Sequence, residues 1–158
     1  MWYSAKIRYQ REQENGAFKT FNEVYLVDAE TYTDAEARIY SIVADNTPDF
    51  TISNLSKVKL SDVFNMGEEE KWFKCKVVYV SIDESKGKEK KITNVMLVNA
   101  DTPKQAYERI EEALKTMLIP YDITDVNLTP IIEVHPYSSE ERVPEGFRPL
   151  AEVMAEKV

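Results

Sequence analysis

Apolar and polar residues alternate most cleanly at two places in the chain. Residues 2–9 read WYSAKIRY, setting Tyr3, Ala5, Ile7 and Tyr9 against Trp2, Ser4, Lys6 and Arg8. Residues 72–79 read WFKCKVVY, setting Phe73, Cys75, Val77 and Tyr79 against Trp72, Lys74, Lys76 and Val78. A period of two sends alternate side chains to opposite faces of a strand, so both segments are predicted strands with one apolar side for the core. Polar stretches around Gly16 and Gly87 read as hairpin turns, and FNEVYLVDA and ITNVMLVNA as the returning strands. The period then changes. Ala35, Ile39, Ile42 and Val43 recur at helical spacing, as do Ala106, Ile110, Ala113, Leu114, Met117 and Leu118, predicting helices over 33–44 and 103–118. Thr33 opens the first in a TDAE capping box with Glu36, and Pro103 suits the first turn of the second. Pro48 and Pro120 close the helices, and FTISNLSKVKL and YDITDVNL follow as third strands.

The same order of elements twice suggests a repeat. A shift of 70 aligns Trp2, Lys6 and Tyr9 with Trp72, Lys76 and Tyr79; after one inserted residue, a shift of 71 aligns Gly16 with Gly87, YLVDAET with MLVNADT, and Arg38 and Ile39 with Arg109 and Ile110. Fifteen identities fall in about sixty aligned positions, where roughly four would arise by chance. The expected fold is α+β: a strand–strand–helix–strand unit duplicated about a pseudo-two-fold, with an antiparallel sheet and two helices packed on one layer. The first repeat spans 1–64, a linker 65–71, the second repeat 72–135, and a tail 136–158 in which RPLAEVMAEKV predicts a short helix. A half of about 65 residues buries too little surface to stand alone, so the repeats are expected to form one domain.

Composition sharpens this picture in one respect. The net charge of −8 argues at first against nucleic acid, but the charges are segregated. Residues 71–94 carry seven Lys against three acids and residues 2–22 four cations against two acids, while 28–50 carry six acids against one Arg. The strands and hairpins are therefore basic and the helical segments acidic. The polar side of each first strand combines an indole with cations: Trp2, Lys6 and Arg8 in one copy, Trp72, Lys74 and Lys76 in the other, with Lys88, Lys90 and Lys91 on the second hairpin. Rings for stacking beside cations for phosphates are the components of a single-stranded nucleic-acid platform. A tryptophan opening a strand also serves to cover the seam between two halves.

Chemistry is less well served. The single histidine, His135, stands at a strand end beside Pro136, and the single cysteine, Cys75, falls on the predicted core side. One His and one Cys on separate strands make no metal site, and the four glycines form no phosphate loop. No catalytic residue, cofactor or metal is expected. One cysteine permits no internal disulfide, the apolar runs are too short for a bilayer, and the N-terminus lacks a signal core, so the sequence reads as cytoplasmic with no membrane partner.

The strings WYSAKIRYQREQENGAFKTFNEVYLVDAETYTDAEARI and KWFKCKVVY resemble an uncharacterised family, domain of unknown function 4494, whose members occur in gut Bacteroidetes and their tailed phages. The resemblance runs from Trp2 to about Val134. It implies a bacterial or phage-encoded cytosolic protein and supplies no functional residues. The leading expectation is a non-catalytic single-stranded nucleic-acid-binding protein. Its competitor is a protein-interaction module, a phage accessory or anti-defence factor, using the same face or its sheet edges, which also leave room for homo-oligomers.

Overall fold

The computed structural model describes residues 1–47 and 49–137; Pro48 and the helix expected in 148–158 lie outside the described residues. Strand β1 (Trp2–Glu12) turns back into β2 (Phe18–Asp28), and helix α1 (Tyr32–Val43), β3 (Thr51–Val58) and the short β4 (Asp62–Phe64) follow. Then come β5 (Trp72–Asp83), β6 (Lys88–Asn99), α2 (Pro103–Ala113), β7 (Tyr121–Leu128) and β8 (Ile131–His135). Both hairpin turns need a glycine at their ends: Gly16 and Gly87 have φ of 82° and 62°, a region that side chains disfavour. In the second turn Asp83 accepts from the Ser85 hydroxyl at 2.6 Å and backbone N–H at 3.0 Å, fixing the reversal.

The alternation seen in the sequence becomes burial. Tyr3, Ala5, Ile7 and Tyr9 of β1 pack with Tyr25, Val27, Ala35, Ile39, Val43 and Leu55 in one core. Phe73, Cys75, Val77, Met96, Val98, Ala106 and Ile110 form a second core beneath α2. The first helix starts one residue earlier than expected, and the second starts at Pro103 as expected. Thr31, not Thr33, caps α1, its hydroxyl accepting from Asp34 N–H at 3.1 Å, while the Asp34 carboxylate takes Glu30 N–H. Thr102 and Gln105 repeat the arrangement on α2. Helix α2 ends at Ala113, short of the expected 118, because the core beneath it ends at Leu114; Leu118 is 98% exposed.

The architecture is α+β, but the expectation of one antiparallel sheet with both helices on its layer is corrected. There are two four-stranded sheets, ordered β3-β1-β2-β8 and β4-β6-β5-β7, each with its own helix and core. Both are mixed, since β8 runs parallel to β2 and β4 parallel to β6. The two short parallel strands cross between the halves. After β3 the chain leaves the first sheet and pairs β4 in the second; after β7 it leaves the second sheet and pairs β8 in the first.

The physical reason for two sheets lies on the side of each sheet away from its helix. There Leu26, Trp72 and Leu97 are buried together, with Trp2, Val58, Leu60, Val63, Ile131 and Val134 packed around them. Apart from Leu60, which lies in the connection between β3 and β4, these residues come from β1, β2, β3 and β8 on one side and β4, β5 and β6 on the other. The sheets therefore meet through the starts of their outer faces, and this seam is a third apolar core.

Candidate nucleic-acid interface

Beyond the seam the outer faces become polar. On the first sheet Lys6 stands between Val24 and Asn54, and Arg8 between Asn22 and Thr51. Ser4, Gln10, Thr20 and Ser56 share that side by register, and from Ser4 to Gln10 no carboxylate stands among them or their partners. On the second sheet Lys74 and Lys76 are exposed on the outer face, and Lys91 joins them opposite Val80. Here acids intervene: Asp125 stands opposite Lys76, Asp122 opposite Val78 and Glu89 opposite Ile82. The first sheet thus carries the less compensated positive face.

The nine residues singled out by the sequence do not form one surface. Lys6 and Arg8 share one face, and Lys74, Lys76 and Lys91 another. Lys88 and Lys90 pair with Asp83 and Ser81 and so point to the opposite, helix-bearing side of the second hairpin. Trp72 is 5% exposed and closes the seam, so in this conformation it offers no ring face to a ligand. Trp2 is only half-buried. Sequence reasoning passed over Phe18, which is 67% exposed on the outer side of the first hairpin and by parity shares that side with Arg8 and Gln10. Its even number relative to the polar positions of β2 was the available signal.

The cations divide into two populations. Lys6, Arg8, Lys74, Lys76, Lys88, Lys90 and Lys91 form no ion pair with a described residue. Arg38 and Arg109 are instead structural. From α2, Arg109 donates to the carbonyls of Met66 and Asn99, both at 2.7 Å, and pairs with Glu69 at 2.8 Å, tying the segment after β4 to the end of β6. From α1, Arg38 donates to the carbonyls of Asp28 and His135, tying β8 to the end of β2, and lies 4.4 Å from the Tyr137 ring centroid. Bonded by its own backbone N–H and by Arg109, the Glu69 carboxyl is held below the usual carboxylate range. On the helix-bearing side of the first hairpin Tyr9 and Phe21 stack at 5.4 Å, with Arg11 over one ring and Lys19 over the other.

Cys75, His135 and Tyr25 lie apart from these faces, on the helix-bearing sides of their sheets. Cys75 is fully buried and burial pushes its thiol up to about 11. His135 contacts Glu133 at 3.0 Å and stacks beside Tyr25, whose hydroxyl is raised by desolvation and by its bond to Glu23. No cluster of three His, Cys, Asp or Glu suited to a metal occurs among the described residues, and no described helix is long and apolar enough to cross a membrane.

The family described as Domain of unknown function (DUF4494) matches residues 1–137. The chain belongs to this family. Comparison with curated proteins and with solved structures finds no match.

Proposed function

We propose that this protein is a non-catalytic single-stranded nucleic-acid-binding protein of the cytoplasm, in keeping with a bacterial or phage origin. Lys6 and Arg8 on the first sheet, and Lys74, Lys76 and Lys91 on the second, hold phosphates; Lys88 and Lys90 add field at the second hairpin. The observation that carries the reading is that these cations, unlike Arg38 and Arg109, are spent on no internal partner. Unpaired cations on strand faces favour phosphates through counterion release, and Phe18 and the open part of Trp2 supply apolar ring surface for bases. Fluorescence polarisation of a labelled oligothymidylate at low and physiological salt tests it: tight, salt-weakened binding is expected, and no binding at low salt would refute it.

A second reading rests on a separate observation. Strand β5 continues to Asp83, while β7 pairs with it only as far as Tyr79, leaving the Val80–Asp83 edge uncovered beside the exposed Val80 and Ile82. Such an edge takes an added strand, so a protein partner or a second copy is the competitor. As to origin, the matching strand orders and the two equivalent arginine clamps support a duplicated unit related by an approximate two-fold.

A further inference from the structure

We propose that the groove beside Trp2 is the point at which a single nucleic-acid strand is gripped, the indole stacking on one base while Lys57 and Lys59 hold the flanking phosphates. This rests on the nucleic-acid reading above and gives it a site. The groove has a volume of about 430 Å³ and is lined by Met1, Trp2, Lys57, Val58, Lys59 and Leu60, within the range of small-ligand pockets. It lies where β1 begins and where the chain leaves β3 to cross between the sheets: Trp2 pairs with Val58, and Lys59 and Leu60 follow. Part of the indole packs into the seam with Val58 and Leu60, and the rest lines the groove. The ring is thus held in place before any ligand arrives, so stacking on it requires little further ordering. Lys57 and Lys59 are exposed and without an ion pair to a described residue. Lys57, opposite Tyr3, leaves the edge strand β3 on the side away from Trp2, so it borders the groove around that edge and not from the face of the indole. A flat apolar wall with two free cations at its rim fits an aromatic group that carries an anion, which describes one nucleotide unit of a strand.

The second sheet does not repeat this. Its tryptophan, Trp72, is buried, and Thr129 donates to its carbonyl from both N–H and hydroxyl at 2.9 and 2.8 Å, closing the strand end. Where Lys57 stands opposite Tyr3, Leu128 stands opposite Phe73; where Lys59 follows, Pro130 follows. An open indole with two cations therefore marks one end of an otherwise two-fold arrangement, and would give a bound strand a direction.

Trp72→Phe leaves Trp2 as the sole tryptophan, and its selectively excited emission can be followed as oligothymidylate is added to the full chain at about 50 mM salt. Quenching of Trp2 is expected, with a roughly tenfold or greater loss of affinity in the exposed double variant Lys57→Glu/Lys59→Glu, its fold checked by circular dichroism. Trp2→Leu, which keeps an apolar group in the seam, should lose affinity by roughly five- to a hundredfold while melting as a folded protein. Two results would overturn the inference and leave the broader reading standing. One is oligonucleotide binding with unquenched Trp2; the other is binding at the parent's affinity by the lysine variant. Absence of any binding by the parent chain would remove both readings, and quenching by an acidic peptide in place of the oligonucleotide would assign the groove to a protein partner.

Discussion

Trp72 ties the two sheets together from a single position. With Leu26 and Leu97 it is one of three buried side chains at the seam, and its indole fills the space that two outer faces leave where they meet. Trp72→Ala should cost about 3–5 kcal/mol, the range for truncating a buried large side chain, read as a loss in urea-unfolding free energy. A near-neutral result would mean that the sheets do not pack as described. Cys75 permits a chemical check of the second core. With its thiol pushed up to about 11 by burial, it should stay unreactive toward a disulfide reagent at pH 8 until the chain is unfolded. Prompt labelling of the native protein would contradict the burial. At this scale the sequence was informative about parity and misleading about exposure. The period of two placed Trp2, Lys6, Arg8, Trp72, Lys74 and Lys76 away from the helices, as found. It carried no sign that the same side is apolar seam at its start and solvent beyond, because that depends on the other sheet.

Helix α2 and the strand it secures show how elements depend on one another. Ile110 is fully buried under α2, and Ile110→Ala should cost about 2–5 kcal/mol. Arg109, one residue earlier, faces the segment after β4. Lysine lacks the planar fork that serves two carbonyls and a carboxylate together, so Arg109→Lys should lose about 1–3 kcal/mol through orphaned carbonyls. Loosened amide-exchange protection at Val63 and Phe64 would locate the loss in β4. The Glu69 arm of this clamp has a defined pH sense. Its folded carboxyl binds a proton only below the usual carboxylate range, so its contribution is complete above that range and is lost as pH falls through the lowered value. Stability lost through Arg109→Lys should therefore shrink in acid and remain constant near neutrality. The hairpins, helices and third strands were legible because each holds a clear period over many residues. The strands β4 and β8 were not, since three and five residues are too few to establish a period and their partners lie in the other half of the chain.

For the whole molecule, the crossing of β4 and β8 makes the halves mutually dependent. Each sheet receives an edge strand from beyond the other half, and each outer face needs its counterpart to cover Leu26 or Leu97. Residues 1–64 expressed alone would lack β8 and expose the seam, so they should give neither a cooperative melt nor dispersed amide resonances; a stably folded fragment would contradict the account. The charge segregation read from the sequence belongs to this scale too, because cations that stand free on the strands are available to a partner while two helix arginines hold the exchanged strands. The central claim is that those free cations bind phosphate, and the slope of log affinity against log salt tests it most directly. For oligothymidylate and the full chain, about five phosphates engaged by Lys6, Arg8, Lys74, Lys76 and Lys91 predict a slope near −3.5, at roughly −0.7 for each. Replacing Lys6 and Arg8 by Ser should make it shallower by about 1.4, to about −2.1, with the melting temperature nearly unchanged. A slope that does not respond to their removal would contradict the account.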